Sequence, residues 1–198
     1  MSVAETDVRV TTPARILDAT FDALQDFGLS RLTVEDVAQR AGLSRQTVYR
    51  YFPSKDHLMI ALVSREEERM LDGVRAAFVE HEKLETAVTR STSFVLRLAR
   101  EHPLLDRLLA SDQQAFLPYV TTRALPAIVR ARETMLGLLL ERVPDADEEF
   151  IRTVVDGTTR AIVSYMITPS DRSPDEIAAA ISSLVMAAVR PHSKGATR

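Results

Sequence analysis

Cysteine is absent from all 198 residues, which excludes disulfides and thiolate metal sites and fits a reducing cytoplasm. Long apolar runs are missing too. The stretch Met135 to Leu140 is broken by Gly137 and falls far short of the roughly 20 residues that span a bilayer. The opening MSVAETDVRVTTP has neither the basic start nor the apolar middle of a signal peptide. The six glycines form no phosphate-cradling loop and no G-x-S-x-G elbow. His57, His81, His102 and His192 are scattered, without an i,i+4 pair or HExxH, so a helical metal site has no support. Glu66, Glu67 and Glu68 are adjacent on a helix and point around it rather than converging. Neither an enzyme nor a bound cofactor or metal is expected.

Strand signals are nearly missing as well, and helix signals fill the chain. Thr12 before Pro13 reads as an N-cap and first-turn proline, followed by Ile16, Leu17, Thr20, Phe21, Leu24 and Phe27 at helical spacing and a stop at Gly28. A second helix opens at Thr33, with Asp36 in a near capping box, and ends at Gly42. A third runs from Ser44 to Phe52, where Pro53 stops it. Ser54 caps a fourth through Leu58, Leu62, Met70, Val74 and Phe78, in which SREEERM reads as a solvated face. A fifth spans about Leu84 to Glu101. Pro103 and Pro118 bracket a short helix and a loop, and a helix from about Thr121 to Val143 bends or restarts at Pro126. PDADEE opens another, and Ser173, Pro174 and Glu176 form a capping box for the last. The expectation is an all-α chain of about nine helices. It divides into a helix-turn-helix domain at 1–55, a helical bundle at 56–190 and a disordered tail at 191–198.

At 45% hydrophobic residues the chain can build a real core. Its net charge of −3 means that only a local basic patch could hold a polyanion. Arg31, Arg40, Arg45, Arg50 and Lys55 against Glu35 and Asp36 make such a patch, although charge alone fits a solvated surface equally well. The layout decides more. In GLSRQTVYRYFPSKDHL, Gly42 takes a sharp turn, Leu43 plugs the angle between two helices and Ser44 caps the second. Val48 and Phe52 pack inward, which leaves Arg45, Gln46 and Thr47 in the exposed first turn, where a recognition helix meets base edges. Arginine suits guanine, glutamine suits adenine, and the threonine methyl suits thymine. Tyr49, Arg50, Tyr51 and Lys55 can reach flanking phosphates, and Thr33 with its helix N-terminus can take another.

The block ILDATFDALQDFGLSRLTVEDVAQRAGLSRQTVYRYFPSKDHLMIAL, with its F-G-x-x-x-x-T-V-x-x-V-A-x-x-A-G-L-S progression, resembles the N-terminal domain of the TetR family of bacterial transcriptional regulators. The resemblance covers about the first third of the chain. It implies a cytoplasmic homodimer whose paired recognition helices bind a palindromic DNA operator. It also implies a helical C-terminal domain whose small-molecule effector weakens that binding. By position it makes Arg45, Gln46 and Thr47 base readers and Tyr49, Tyr51 and Lys55 backbone contacts, with Arg50 at a variable place.

Beyond residue 65 only physical patterning speaks. The broad small and branched faces of Val154, Thr158, Ala161, Ile162 and Tyr165 and of Ile177, Ala180, Ile181, Leu184 and Ala188 suit a four-helix dimer interface. Phe78, Phe94, Leu98, Leu108, Phe116, Met135 and Leu139 are candidates for an apolar or amphipathic effector pocket, with Arg97, Arg100 or Arg107 available to a carboxylate. An activator, or a helical carrier that keeps the fold without binding an operator, fits the same sequence.

Overall fold

Side-chain caps set where most of the helices begin. The computed structural model describes residues 11–168 and 170–189, and among these it holds ten α-helices and no strand. They are α1 (Thr12–Phe27), α2 (Val34–Arg40), α3 (Arg45–Tyr51), α4 (Lys55–Val79), α5 (Leu84–Glu101), α6 (Pro103–Ser111), α7 (Gln113–Val120), α8 (Leu125–Arg142), α9 (Glu148–Ile167) and α10 (Pro174–Val189). The expected tail at 191–198 lies outside the described residues. Thr33, Ser44 and Ser54 each accept a hydrogen bond from a backbone N–H three residues on, which satisfies a donor the helix cannot. Asp36 completes the Thr33 capping box by accepting from the Thr33 N–H at 3.0 Å, so aspartate serves where glutamate is usual. Ser173 and Glu176 form the same box ahead of α10.

Three expectations are corrected. The cap of α1 is Thr11, which puts Pro13 at the second helical position. The segment expected as a loop before Pro118 is α7, and α8 begins at Leu125 instead of Thr121, raising the helix count to ten. Pro118 removes one backbone donor near the end of α7. Burial of the Phe116 and Tyr119 rings offsets that loss, at about 1.5–3 kcal/mol for a large apolar side chain.

The helices pack into three apolar clusters. The first joins Ile16, Leu24, Val37 and Val48 of α1–α3 to Leu58 and Leu62 of α4 and to Leu104, Leu108 and Phe116 of α6–α7. A boundary at residue 55 therefore runs through one continuous core. The second gathers Phe78, Val88, Leu139, Ile151 and Val155, and the third gathers Leu96, Ile177 and Ile181 with Ile162 and Met166 against them. α4 passes from the first cluster to the second, with α5 and α8 packed along it.

Candidate nucleic-acid interface and ligand cavity

The turn between α2 and α3 is built from backbone outward. Gly42 adopts φ +63°, a left-handed conformation that glycine enters without a Cβ penalty. Its N–H bonds to the Gln39 carbonyl at 3.1 Å and that of Leu43 to Ala38 at 2.9 Å, a Schellman closure that satisfies the helix end. Arg15 adds a guanidinium bond to the Ala41 carbonyl at 2.8 Å, placing a cation where the α2 dipole is negative. Val48, 0% exposed, then fixes α3 against the core, with Phe52 half-buried below it.

That anchoring decides what faces outward. Arg45, Gln46, Tyr49, Arg50 and Tyr51 are all exposed. Arg45 is 57% exposed, pairs with Glu35 at 3.0 Å and lies over the Tyr49 ring, while Arg50 lies over Tyr51. Thr47 is half-buried, with its hydroxyl 2.9 Å from that of Ser44. Ser44 and Thr33 use their own hydroxyls as caps, so their part in any phosphate contact falls to backbone amides and position.

Lys55, expected to reach a phosphate, has a partner inside the chain. Its ammonium donates to the Leu29 carbonyl at 2.6 Å, tying the start of α4 to the α1–α2 turn. Burial lowers its pKa, against the opposing pull of Asp112 and Asp56. The sequence shows a lysine past the recognition helix; it does not show that the turn folds back to take the charge. Lys55→Met should therefore cost about 1 kcal/mol, the yield of a partly exposed charged hydrogen bond, and lower Tm by about 2–4 °C. Thermal unfolding followed by circular dichroism checks this. An unchanged Tm together with a salt slope shallower by one unit would return Lys55 to the phosphates.

The lower bundle holds two apolar cavities. The larger, about 190 Å³, is lined by Leu98, Leu108 and Phe116 from the candidate set and also by Met59, Leu62 and Tyr119. The smaller, about 70 Å³, is lined by Met135 and Leu139. The two share Met70, Ala131, Val163 and Met166. Phe78 and Phe94 line neither. Phe78 is buried in the second core cluster beneath the Arg142 guanidinium, and the Phe94 ring lies directly against Gly73. The three arginines considered for an effector carboxylate also point elsewhere. Arg97 pairs with Asp175, Arg100 donates to the Ser170 and Arg172 carbonyls, and Arg107 donates to that of Asp26.

Sequence reasoning missed Glu67. Read as part of a solvated face, it is only 8% exposed, lines the larger cavity and pairs with Arg130 of α8. Burial is the leading influence on its carboxyl and raises the pKa, with Arg130 pulling the other way. The signal was available, since Val63, Glu67, Met70 and Val74 recur at i, i+4, i+7 and i+11, which makes Glu67 the polar member of an apolar stripe. His102 was considered only as a metal ligand. It caps α6 by accepting from the Leu105 N–H at 3.2 Å and lines the same cavity, and burial lowers its pKa.

The proposed dimer face divides in two. Ile177, Ile181 and Ala188 are buried inside the single chain, and Ile162 packs against the first two, so these residues face the chain's own core rather than a partner. Val154 leans on the second cluster, and Thr158 returns its hydroxyl to the Val154 carbonyl. What stays outward is Leu184 at 61% exposure, Tyr165 at 40%, exposed Ala180 and half-exposed Ala161. α10 turns its other side to α5, which sequence periodicity alone could not assign.

The arrangement also links the cavity to the upper helices. Asp112, between α6 and α7, accepts from the N–H groups of Leu29 and Ser30 at 3.0 Å each and from the Ser30 hydroxyl. Burial alone would raise its carboxyl, but the bonds from Ser30 and Leu29 and the charge of Arg107 outweigh that and hold it below the usual range. Tyr119 of α7 donates to Asp56 in the first turn of α4; its phenol is pushed up to about 12 by burial and by that carboxylate. α6 and α7 thus touch the cavity with one face and the α1–α2 turn and α4 start with the other.

Known proteins share both halves. The family model for bacterial regulatory proteins of the tetR family matches residues 16–62, and that for the C-terminal domain of the bacterial tetracyclin repressor matches residues 83–187. The HTH-type transcriptional regulator AlkX of Mycobacterium tuberculosis is 26% identical over 178 residues, covering 87% of this chain and 84% of that protein. The HTH-type transcriptional repressor KstR of Rhodococcus jostii is 45% identical over 56 residues, 28% of this chain and 26% of its own. Among solved structures, the TetR family repressor AlkX from Dietzia sp. strain DQ12-45-1b, implicated in biodegradation of n-alkanes, superposes with a TM-score of 0.74 at 27% identity. That match covers 92% of this chain and 99% of the other.

Proposed function

Because the chain belongs to the TetR family of bacterial regulatory proteins, whose members are DNA-binding transcriptional regulators and not enzymes, we propose that it is a homodimeric repressor. It binds a palindromic operator through α3 and is released by a small apolar or amphipathic effector held in the bundle. The observation that carries this reading is the outward face of α3. A helix of seven residues, anchored by buried Val48, presents Arg45, Gln46, Tyr49 and Arg50 together on its exposed side, where their contacts within the chain are all at the surface. Similarity over nearly the full length to a repressor, AlkX, supports the sign of regulation.

The coupling runs through α4 and the α6–α7 pair. α4 starts beside the recognition helix and passes the cavity at Met59, Leu62, Glu67 and Met70. A ligand that displaces α6–α7 pulls on the Leu29–Ser30 turn through Asp112 and on Asp56 through Tyr119. The spacing of two recognition helices in a dimer then changes, and only one spacing fits both half-sites.

Selection of bound duplexes from a random pool at fixed moderate salt tests the reading. A palindrome with half-sites about one helical turn apart is expected. Recovery of no enriched sequence would overturn the operator-binding reading in favour of a carrier. The dimer is tested separately with Leu184→Glu, which buries a charge in the proposed interface. The variant should sediment as a monomer and lose binding to the paired half-sites, whereas a dimer that still binds would move the interface elsewhere.

A further inference from the structure

Glu67 Oε1 is buried and has no hydrogen-bonding partner among the described residues, although the other oxygen of the same carboxylate is paired with Arg130. Burying such an acceptor is unfavourable unless something donates to it. Glu67 lines the larger cavity with Glu66, His102 and Tyr119, and the rest of its walls are apolar, Leu62, Leu98, Leu108, Phe116 and Ile128 among them. At about 190 Å³ the space exceeds the roughly 150 Å³ of an apolar protein cavity that admits benzene.

We propose that this cavity recognises a neutral molecule carrying one hydroxyl on an apolar body, with the hydroxyl donating to Glu67 Oε1. The inference rests on the reading of the cavity as the effector site and names the chemical class it takes. Charge selects among donors and acceptors. Glu67 is paired with Arg130, and Glu66 in the same wall with Arg65 and Arg69, so a hydroxyl adds no uncompensated charge to the site. An ammonium would leave one cation uncompensated there, and a carboxylate would face a like charge. An ether or hydrocarbon of the same shape would bury Oε1 with nothing to satisfy it. The apolar body lies along Leu98, Leu108 and Phe116. Met70 and Met166, in the wall shared with the smaller cavity, are unbranched and adjust to its length. Aliphatic and aromatic alcohols share this chemistry, and the test separates them.

Calorimetric titration of the full-length protein with 1-octanol, octyl methyl ether, octanoate and octylammonium, and with phenol against anisole, decides the matter. At least one alcohol should bind at least about tenfold tighter than its ether, the yield of a hydrogen bond to a charged acceptor, and tighter than either ion. Whichever alcohol binds more tightly identifies the body, chain or ring. In Glu67→Leu the preference over the ether should fall to about threefold or less, and in Glu67→Gln, which keeps an acceptor, part of it should remain. Equal binding of alcohol and ether, tighter binding of octanoate, or a preference that survives Glu67→Leu would each overturn the proposal. If Glu67→Leu fails to fold, the wild-type ratio and Glu67→Gln decide. Operator affinity measured with and without the bound alcohol keeps the two readings apart. Alcohol binding that leaves the operator complex intact retains this ligand class and removes the effector role. Release by some other ligand, with alcohols inert, does the reverse.

Discussion

Arg45→Ala is expected to weaken binding to the selected operator by roughly ten- to a hundredfold while leaving Tm within about 1 °C. Both halves follow from how Arg45 is held. Its partners inside the protein are Glu35 and the face of Tyr49, and both it and Glu35 are largely exposed, a setting in which an ion pair adds little to stability. Removing it therefore spares the fold. On DNA the same guanidinium, in the first turn of α3, can present two parallel donors to guanine O6 and N7. Its loss should relax preference at one base pair of each half-site. Fluorescence anisotropy with the selected duplex and with duplexes changed at single positions, all at one salt concentration, measures this. If affinity drops equally for every sequence and the salt slope falls by one unit, Arg45 is a phosphate contact and base reading belongs to Gln46 and Thr47.

Local chemistry made much of the fold legible. The caps at Thr33, Ser44, Ser54 and Ser173 and the Gly42 turn are short-range devices, and the chain announces them within four residues. The outward set on α3 was legible for the same reason, because Val48 and Phe52 fix its rotation. What stayed hidden depends on which helix meets which. Nothing near Pro118 shows that Phe116 and Tyr119 will find a core through residues of α1 and α4, so α7 looked like a loop. Ile181 and Leu184 are three residues apart on one helix, and only the docking of α10 on α5 makes the first core and the second surface. Lys55 and Asp112 look like ordinary surface charges until the α1–α2 turn comes within reach of both. Glu67 is the exception, a site residue whose register was readable and was masked by its charged neighbours.

Gly28→Ala is expected to destabilise the protein by about 2.5–6 kcal/mol, the sum of two separable effects. Gly28 has φ +76° and ψ 173°, a region that only glycine enters readily, so a side chain there costs about 1–3 kcal/mol in backbone strain. The added Cβ would also fall inside the contact radius of Asp112 Oδ2. Asp112 would have to leave the amides of Leu29 and Ser30, and at this partly exposed carboxylate the charge-assisted pair together yields about 1.5–3 kcal/mol. Denaturant unfolding of a double-mutant cycle separates the two. In an Asp112→Ala background the latch is already gone, and Gly28→Ala should then cost only the strain, about 1–3 kcal/mol. Additive costs would mean that Asp112 gives way freely and the latch has no strength. The cycle also bears on regulation, since Asp112 is the direct bond from the cavity-lining α6–α7 pair to the α1–α2 turn. Asp112→Ala should bind ligand as wild type does and keep hold of the operator when ligand is added. If ligand still released it fully, the signal would pass along α4 alone.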